Sequence, residues 1–164
     1  MDILASLIAD HRWFYEQVAL LDAKVFDYAN KYYAKDWAKK VEGPAKEVLG
    51  SLLARMARHE KLEHEVLFPA LIEHNVVERA VLERMEKDHA GINRGLRQFM
   101  DAFGLPEEQL GREKLLRLLR LVNLVQQHMI REETEVFDPA RAALSWDVLE
   151  RLGERAAACA CASR

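Results

Sequence analysis

The chain has 164 residues, 50% of them hydrophobic and 31% charged, with seven Gly, four Pro, two Cys and a net charge of −3. That length suits one domain with a real core, and few Gly and Pro beside much interspersed charge suit helices with solvated polar faces. The balance offers no basic stripe for nucleic acid, and no run of about eighteen apolar residues is present to span a bilayer.

Met1-Asp2-Ile3-Leu4 lacks the basic start and apolar run of a signal peptide, so a cytoplasmic location is expected. From residue 2 to about 28, apolar side chains (Ile3, Leu4, Leu7, Ile8, Phe14, Val18, Leu21, Val25, Phe26) recur every three or four positions, which predicts a helix. Gly43-Pro44 marks a break, with Pro44 suited to a first helical turn. A second helix is expected from there to about His74, where Asn75 reads as a stop. The third covers Val76 to Phe103 and ends at Gly104-Leu105-Pro106. The fourth, the most apolar, runs from about Arg112 to near Pro139. Ser145 reads as the cap of a short fifth helix through about Gly153, and residues 154–164, with Cys159 and Cys161, read as a flexible tail. Nothing alternates with period two. The expected fold is therefore all-α, an up-and-down antiparallel four-helix bundle with a short extra C-terminal helix, in one domain over residues 1–153.

The two halves repeat. Asp10-His11 opens the first and Asp88-His89 the second; then come His59-x-x-x-Glu63 and His128-x-x-x-Glu132. Each pair leads into a matching phrase, Glu65-Val66-Leu67-Phe68-Pro69-Ala70 and Glu135-Val136-Phe137-Asp138-Pro139-Ala140, the second arriving one residue later. Residues four apart share a helix face, so each His-Glu pair offers two donors at one place in the core.

Distances along the helices test whether those places coincide. At about 1.5 Å per residue, His59 lies about 22 Å from Pro44 and about 22 Å before His74, and His89 lies about 18 Å into the third helix with about 21 Å to follow. His128 lies about 24 Å into the fourth. In an antiparallel bundle these values put His59, His89 and His128 at one level. His11 joins them if helix one stops near Tyr28, because an unbroken run to Tyr33 leaves it about 10 Å too far from the end. Ala29 to Glu42 is then expected to be a crossing segment, whose Tyr32, Tyr33 and Trp37 could pack internally or against another chain.

Six polar groups (His11, His59, Glu63, His89, His128 and Glu132) meeting in a core are costly without partners, and a pair of cations removes that cost. Mixed imidazole and carboxylate donors favour iron or manganese; zinc is satisfied with fewer ligands. The ferritin-like pattern needs two Glu-x-x-His motifs, and only Glu86-x-x-His89 is present. His64 and His74 are read as surface or structural residues, and Trp13, Trp37 and Trp146 as packing residues.

His11, His59-x-x-x-Glu63, His89 and His128-x-x-x-Glu132, with a Phe-Pro phrase after the first pair, resemble the hemerythrin-like (HHE cation-binding) domain family over about residues 3 to 139. The resemblance implies two non-haem iron ions with an oxo or hydroxo bridge, Glu63 and Glu132 bridging them, and His11, His59, His89 and His128 as terminal ligands. Oxygen carriers of the family have a second histidine four residues on in helix three, where this chain has Asn93, and they end with His-x-x-x-x-Asp where it has Glu132 and Glu133. Four histidines instead of five imply a more open iron, and Tyr15 and Glu60 are candidates to fill or shield the free position. The expected ligand is small and diatomic, dioxygen or nitric oxide, bound or sensed, with no nucleic-acid or membrane partner. An enzyme acting on peroxide or ferrous iron, an iron-centre repair protein and a metal-free scaffold are the alternatives.

Overall fold

The computed structural model describes residues 2–31, 37–102 and 112–161. Among them the chain forms five helices and no strand: α1 (Ile3–Lys31), α2 (Trp37–Leu62, continued by Glu63–Leu67 and Phe68–Glu73), α3 (Arg79–Ala102), α4 (Arg112–Glu132, continued by Glu133–Phe137 and Asp138–Ala143) and α5 (Trp146–Cys161). In the bundle α1 packs against α2 and α4, α3 packs against the same two, and α5 lies mainly against α1. No helix of the described residues is long and apolar enough to cross a membrane.

Local chemistry sets the ends. Asp2 Oδ1 accepts the N–H of Ala5 at 2.8 Å, a side-chain cap that satisfies one orphan donor of α1. At the end of α2, Asn75 takes a left-handed φ of 53°, Val76 N–H bonds Leu71 O at 2.9 Å and Asn75 N–H bonds Ile72 O at 3.1 Å. This paired closure uses Asn where Gly is commonest, because the short amide side chain tolerates the left-handed region. α5 opens directly after Ser145, whose carbonyl accepts the N–H groups of Val148 and Leu149.

The matching phrases turn out to mark one wide turn each. Over Glu63–Leu67 and Glu133–Phe137 the ladder shifts to bonds five residues long, closing with Phe68 N–H to Glu63 O and Asp138 N–H to Glu133 O. Pro69 and Pro139 sit just beyond. A proline lacks its own donor and crowds the carbonyl four residues back, and widening the preceding turn is one way to relieve both defects.

Three boundaries differ from the sequence reading. α1 runs on to Lys31, and α2 begins at Trp37, so Gly43-Pro44 and the described part of the expected crossing segment lie inside helices. At about 1.5 Å per residue, α1 extends about 30 Å beyond His11 and α2 extends about 33 Å before His59, so these two helices are matched to each other and need no early stop. α5 runs to Cys161 instead of ending near Gly153: Leu149, Leu152 and Ala156 recur along one face and are buried, and the Ala-rich run beyond has high helix propensity. Tyr32 and Tyr33, the Gly104-Leu105-Pro106 break and the last three residues lie outside the described residues, as does the side chain of Trp37.

The buried apolar side chains form two layers. A base layer joins Ile3, Leu4 and Leu7 of α1 to Leu67, Met85, Phe137 and Leu152, and thus draws on all five helices. A stem layer joins Phe14 and Val18 to Leu49, Met56, Ile92, Leu96, Val125 and Met129, from α1 to α4 only. Along each bundle helix the chain passes between layers through a short polar stretch, and there the site lies.

Candidate metal centre

All six of the residues singled out by spacing meet in the seam between the layers. His11, His59, Glu63, His89, His128 and Glu132 are each 2% exposed or less, an unusual state for ionisable side chains. His11 enters between Leu7 and Phe14, His59 between Met56 and Leu62, and His89 between Met85 and Ile92, so the helical period that builds the layers also aims the donors.

The donors form two groups. His11 Nε2 and His59 Nε2 approach to 3.2 Å, and Glu132 Oε2 lies 3.1 Å from the first and 3.6 Å from the second. His89 Nε2 and His128 Nε2 approach to 2.9 Å, with Glu132 Oε2 3.5 Å from His128. Each triad, His11–His59–Glu132 and His89–His128–Glu132, could hold a metal ion. Glu63 also spans the groups, with Oε1 2.9 Å from His59 Nε2 and Oε2 3.3 Å from His89 Nε2.

Head-on nitrogen pairs are the informative feature. Between two imidazole nitrogens at most one proton can sit, so the contact alone gives little. Two ligands at about 2.1 Å from one ion and at right angles would stand about 3.0 Å apart, close to both nitrogen separations. Both oxygens of Glu63 and Oε1 of Glu132 are buried without a hydrogen-bond partner, a cost that a cation removes. The donor set fits a pair of metal ions.

Protonation in the protein alone shows the same strain. Burial, with Glu132 next to it, lifts the pKa of Glu63 well above the usual carboxylate value. Burial acts on Glu132 too, but bonds from His11 and His59 and the charge of His128 outweigh it and hold that carboxyl well below the usual value. Burial opposes charge on His59, yet Glu63, Asp10 and Glu132 raise it well above an ordinary imidazole. Burial and the neighbouring His128 take His89 down to about 3, which leaves it neutral and able to donate a lone pair.

The second ring nitrogens reveal residues that spacing does not assign. Asp10 Oδ2 lies 3.5 Å from His59 Nδ1, and Arg55 and Arg58 reach Asp10 Oδ1 at 2.7 and 3.1 Å. In the other half Asp88 Oδ2 lies 3.6 Å from His128 Nδ1 and 2.8 Å from Arg131. So the Asp of each Asp-His step stands beside the outer nitrogen of the next helix's histidine, just beyond hydrogen-bond length. His11 Nδ1 is met by Glu133 Oε1 at 2.8 Å. Carboxylates on the outer nitrogen fix the tautomer and raise donor strength at the inner one. The repeated Asp-His step is the available signal; which helix each Asp serves depends on tertiary packing.

The remaining candidates fall elsewhere. Asn93 Nδ2 donates to both oxygens of Glu60 at 2.9 Å, forming a polar pair one turn from His89. Tyr15 packs partly buried against the stem layer, near enough to Glu133 for that carboxylate to raise its pKa together with burial. His64 and Glu86 pair at the surface at 3.4 Å, and His74 is exposed at the end of α2. Cys159 packs against the base layer, and the side chain of Cys161 lies outside the described residues.

Against known families, the chain matches the family model described as the hemerythrin HHE cation binding domain over residues 2–140. That span contains every donor of both groups. No curated protein and no solved structure matches.

Proposed function

The chain belongs to the hemerythrin HHE cation-binding domain family, and on that premise we propose that it is a non-haem di-iron protein that binds or senses dioxygen or nitric oxide. One observation carries the reading: two buried histidine pairs share two buried glutamates, each glutamate within reach of both pairs. Two ions held by these residues would share negative charge from Glu63 and Glu132, and four neutral imidazoles would complete a mixed nitrogen and oxygen set that favours iron over zinc.

Bound iron would supply a redox centre able to take up a diatomic ligand. The chain's own residues supply the rest. Phe14 and Phe137 flank His11, with ring centres 6.4 and 5.2 Å away, and Phe14 meets His59 edge-on at 5.4 Å. These rings and the two apolar layers exclude water from the donors and strengthen every charge interaction among them. On the other side, Asn93 gives its amide hydrogens to Glu60 and brings no ring nitrogen to the His89 group. That substitution supports a centre with room for a small ligand.

Elemental analysis of protein purified without chelator should find about two irons per chain. Anaerobic ferrous protein exposed to dioxygen or to nitric oxide should change its optical spectrum stoichiometrically. No change with either gas overturns the ligand reading, and sustained turnover of peroxide or ferrous iron replaces it with an enzymatic one.

A further inference from the structure

We infer that the two cation positions are unequal, with Glu133 making the difference: the His11–His59 position fills first and holds its ion, and the His89–His128 position is the exchangeable one. The inference rests on the two-metal reading above and concerns what surrounds each half of it.

Three of the four histidines have a carboxylate beside the outer nitrogen. His11 is hydrogen-bonded to Glu133 at 2.8 Å, whereas Asp10 stands 3.5 Å from His59 and Asp88 3.6 Å from His128, both beyond hydrogen-bond length. Among the described residues His89 has none; its Nδ1, like those of His59 and His128, is buried without a hydrogen-bond partner, so of the four only His11 has its outer nitrogen hydrogen-bonded. The repeat explains why. Glu133 follows Glu132, and the residue following Glu63 is His64. His64 stands beside His89, ring centres 5.8 Å apart, as Glu133 stands beside His11. Its Nδ1 turns to Glu86 at 3.4 Å. One position thus has one imidazole hydrogen-bonded to an acid side chain and its other imidazole beside a second acid, and the other position has only a single acid, at 3.6 Å. The shared glutamates lean the same way: Glu63 is 2.9 Å from His59 against 3.3 Å from His89, and Glu132 is 3.1 Å from His11 against 3.5 Å from His128.

Loss of an outer-nitrogen partner typically weakens metal binding about 10–100-fold. Anaerobic titration of the metal-free protein with iron(II), followed by calorimetry, should therefore show two steps separated by about that factor. His89→Ala should keep the tight step, and His11→Ala should lose it. Glu133→Gln should weaken the tight step about tenfold or more and leave the weak one in place. His64→Glu offers His89 the missing carboxylate, so it should strengthen the weak step and draw the two together. This gain is a change that a merely structural role for position 64 would not produce.

Two equal steps in the unsubstituted protein overturn the inference while leaving the two-metal reading intact. So does a tight step that survives His11→Ala and vanishes with His89→Ala. Equal weakening of both steps by Glu133→Gln overturns the role of Glu133. Binding of no iron at all overturns both readings, and titration of the unsubstituted protein decides that point without any variant having to fold.

Discussion

The base and stem layers bury similar side chains but close by different means. The stem uses regular helices alone: Phe14, Val18, Met56, Ile92, Leu96, Val125 and Met129 interlock at helical spacing. The base lies where α2 and α4 abandon regular geometry, from Glu63 and from Glu133 onward, and where α5 adds Leu149, Leu152 and Ala156 to the packing. The donors occupy the boundary between the two. Regular helices aim the histidines, and the wide turns begin at Glu63 itself and at Glu133, the residues that finish the donor set and its support. Departure from regularity is concentrated where the site needs it.

If the donor layer is a seam between two apolar blocks, filling it is the largest single stabilisation available. Free metal at a hundredfold excess over Kd adds about 2.7 kcal/mol per ion, so about 5 kcal/mol for two. Urea unfolding under anaerobic conditions, with iron(II) and with chelator, measures this. Coincident curves would break the picture of a seam.

The next effect separates the layers. Phe14 and Phe137 are 0% and 1% exposed, so burial does not distinguish them. Truncating such a ring costs about 3–5 kcal/mol, more where the surroundings cannot relax. Phe137→Ala in the five-helix base should stand at the top of that range and Phe14→Ala near the bottom, measured by urea unfolding of metal-free protein. The reverse order would make the stem the stiffer layer. A smaller loss is expected at the edge of the base. Asn75→Ala forces a Cβ-bearing residue without a local polar partner into the left-handed region, at about 1–2 kcal/mol, and Asn75→Gly should lose nothing.

This division also decides what is legible in the sequence. What is built on regular helical spacing can be read there: the bundle, the convergence of six polar side chains and the stop at Asn75, although the early end of helix one expected to bring His11 to the common level is absent, since α1 runs to Lys31. What requires tertiary packing cannot be read there. Pro69 and Pro139 are visible as part of a repeated phrase, but a proline can be accommodated by a kink, a break or a wide turn, and only the packed core selects among them. Pro44 has the chemistry of a helix start and yet lies inside α2. Glu133 is visible beside Glu132, but its reach to His11 depends on α1 and α4 lying together, 122 positions apart in sequence. The C-terminal run resembles a tail because Ala and Cys carry little pattern, although Leu149, Leu152 and Ala156 already mark a buried face.

The smallest expected effects measure how tightly the stem itself is packed. A Cβ added at Gly50 of α2 meets nothing within 4 Å, whereas one added at Gly95 of α3 comes 2.8 Å from Leu121 Cδ1. Replacing a helical Gly by Ala gains about 0.5–1 kcal/mol from backbone entropy and propensity alone. Gly50→Ala should show that whole gain in urea unfolding. Gly95→Ala must also displace the end of Leu121, and overpacking costs about 1–3 kcal/mol, at the low end here because the atom displaced belongs to a side chain that can turn. The two contributions nearly cancel, giving no gain or a loss of up to about 1 kcal/mol. The gap between the two variants is thus a direct reading of stem stiffness. If both gain equally, Leu121 moves freely, and the contact between α3 and α4 is looser than that between the helices of the base.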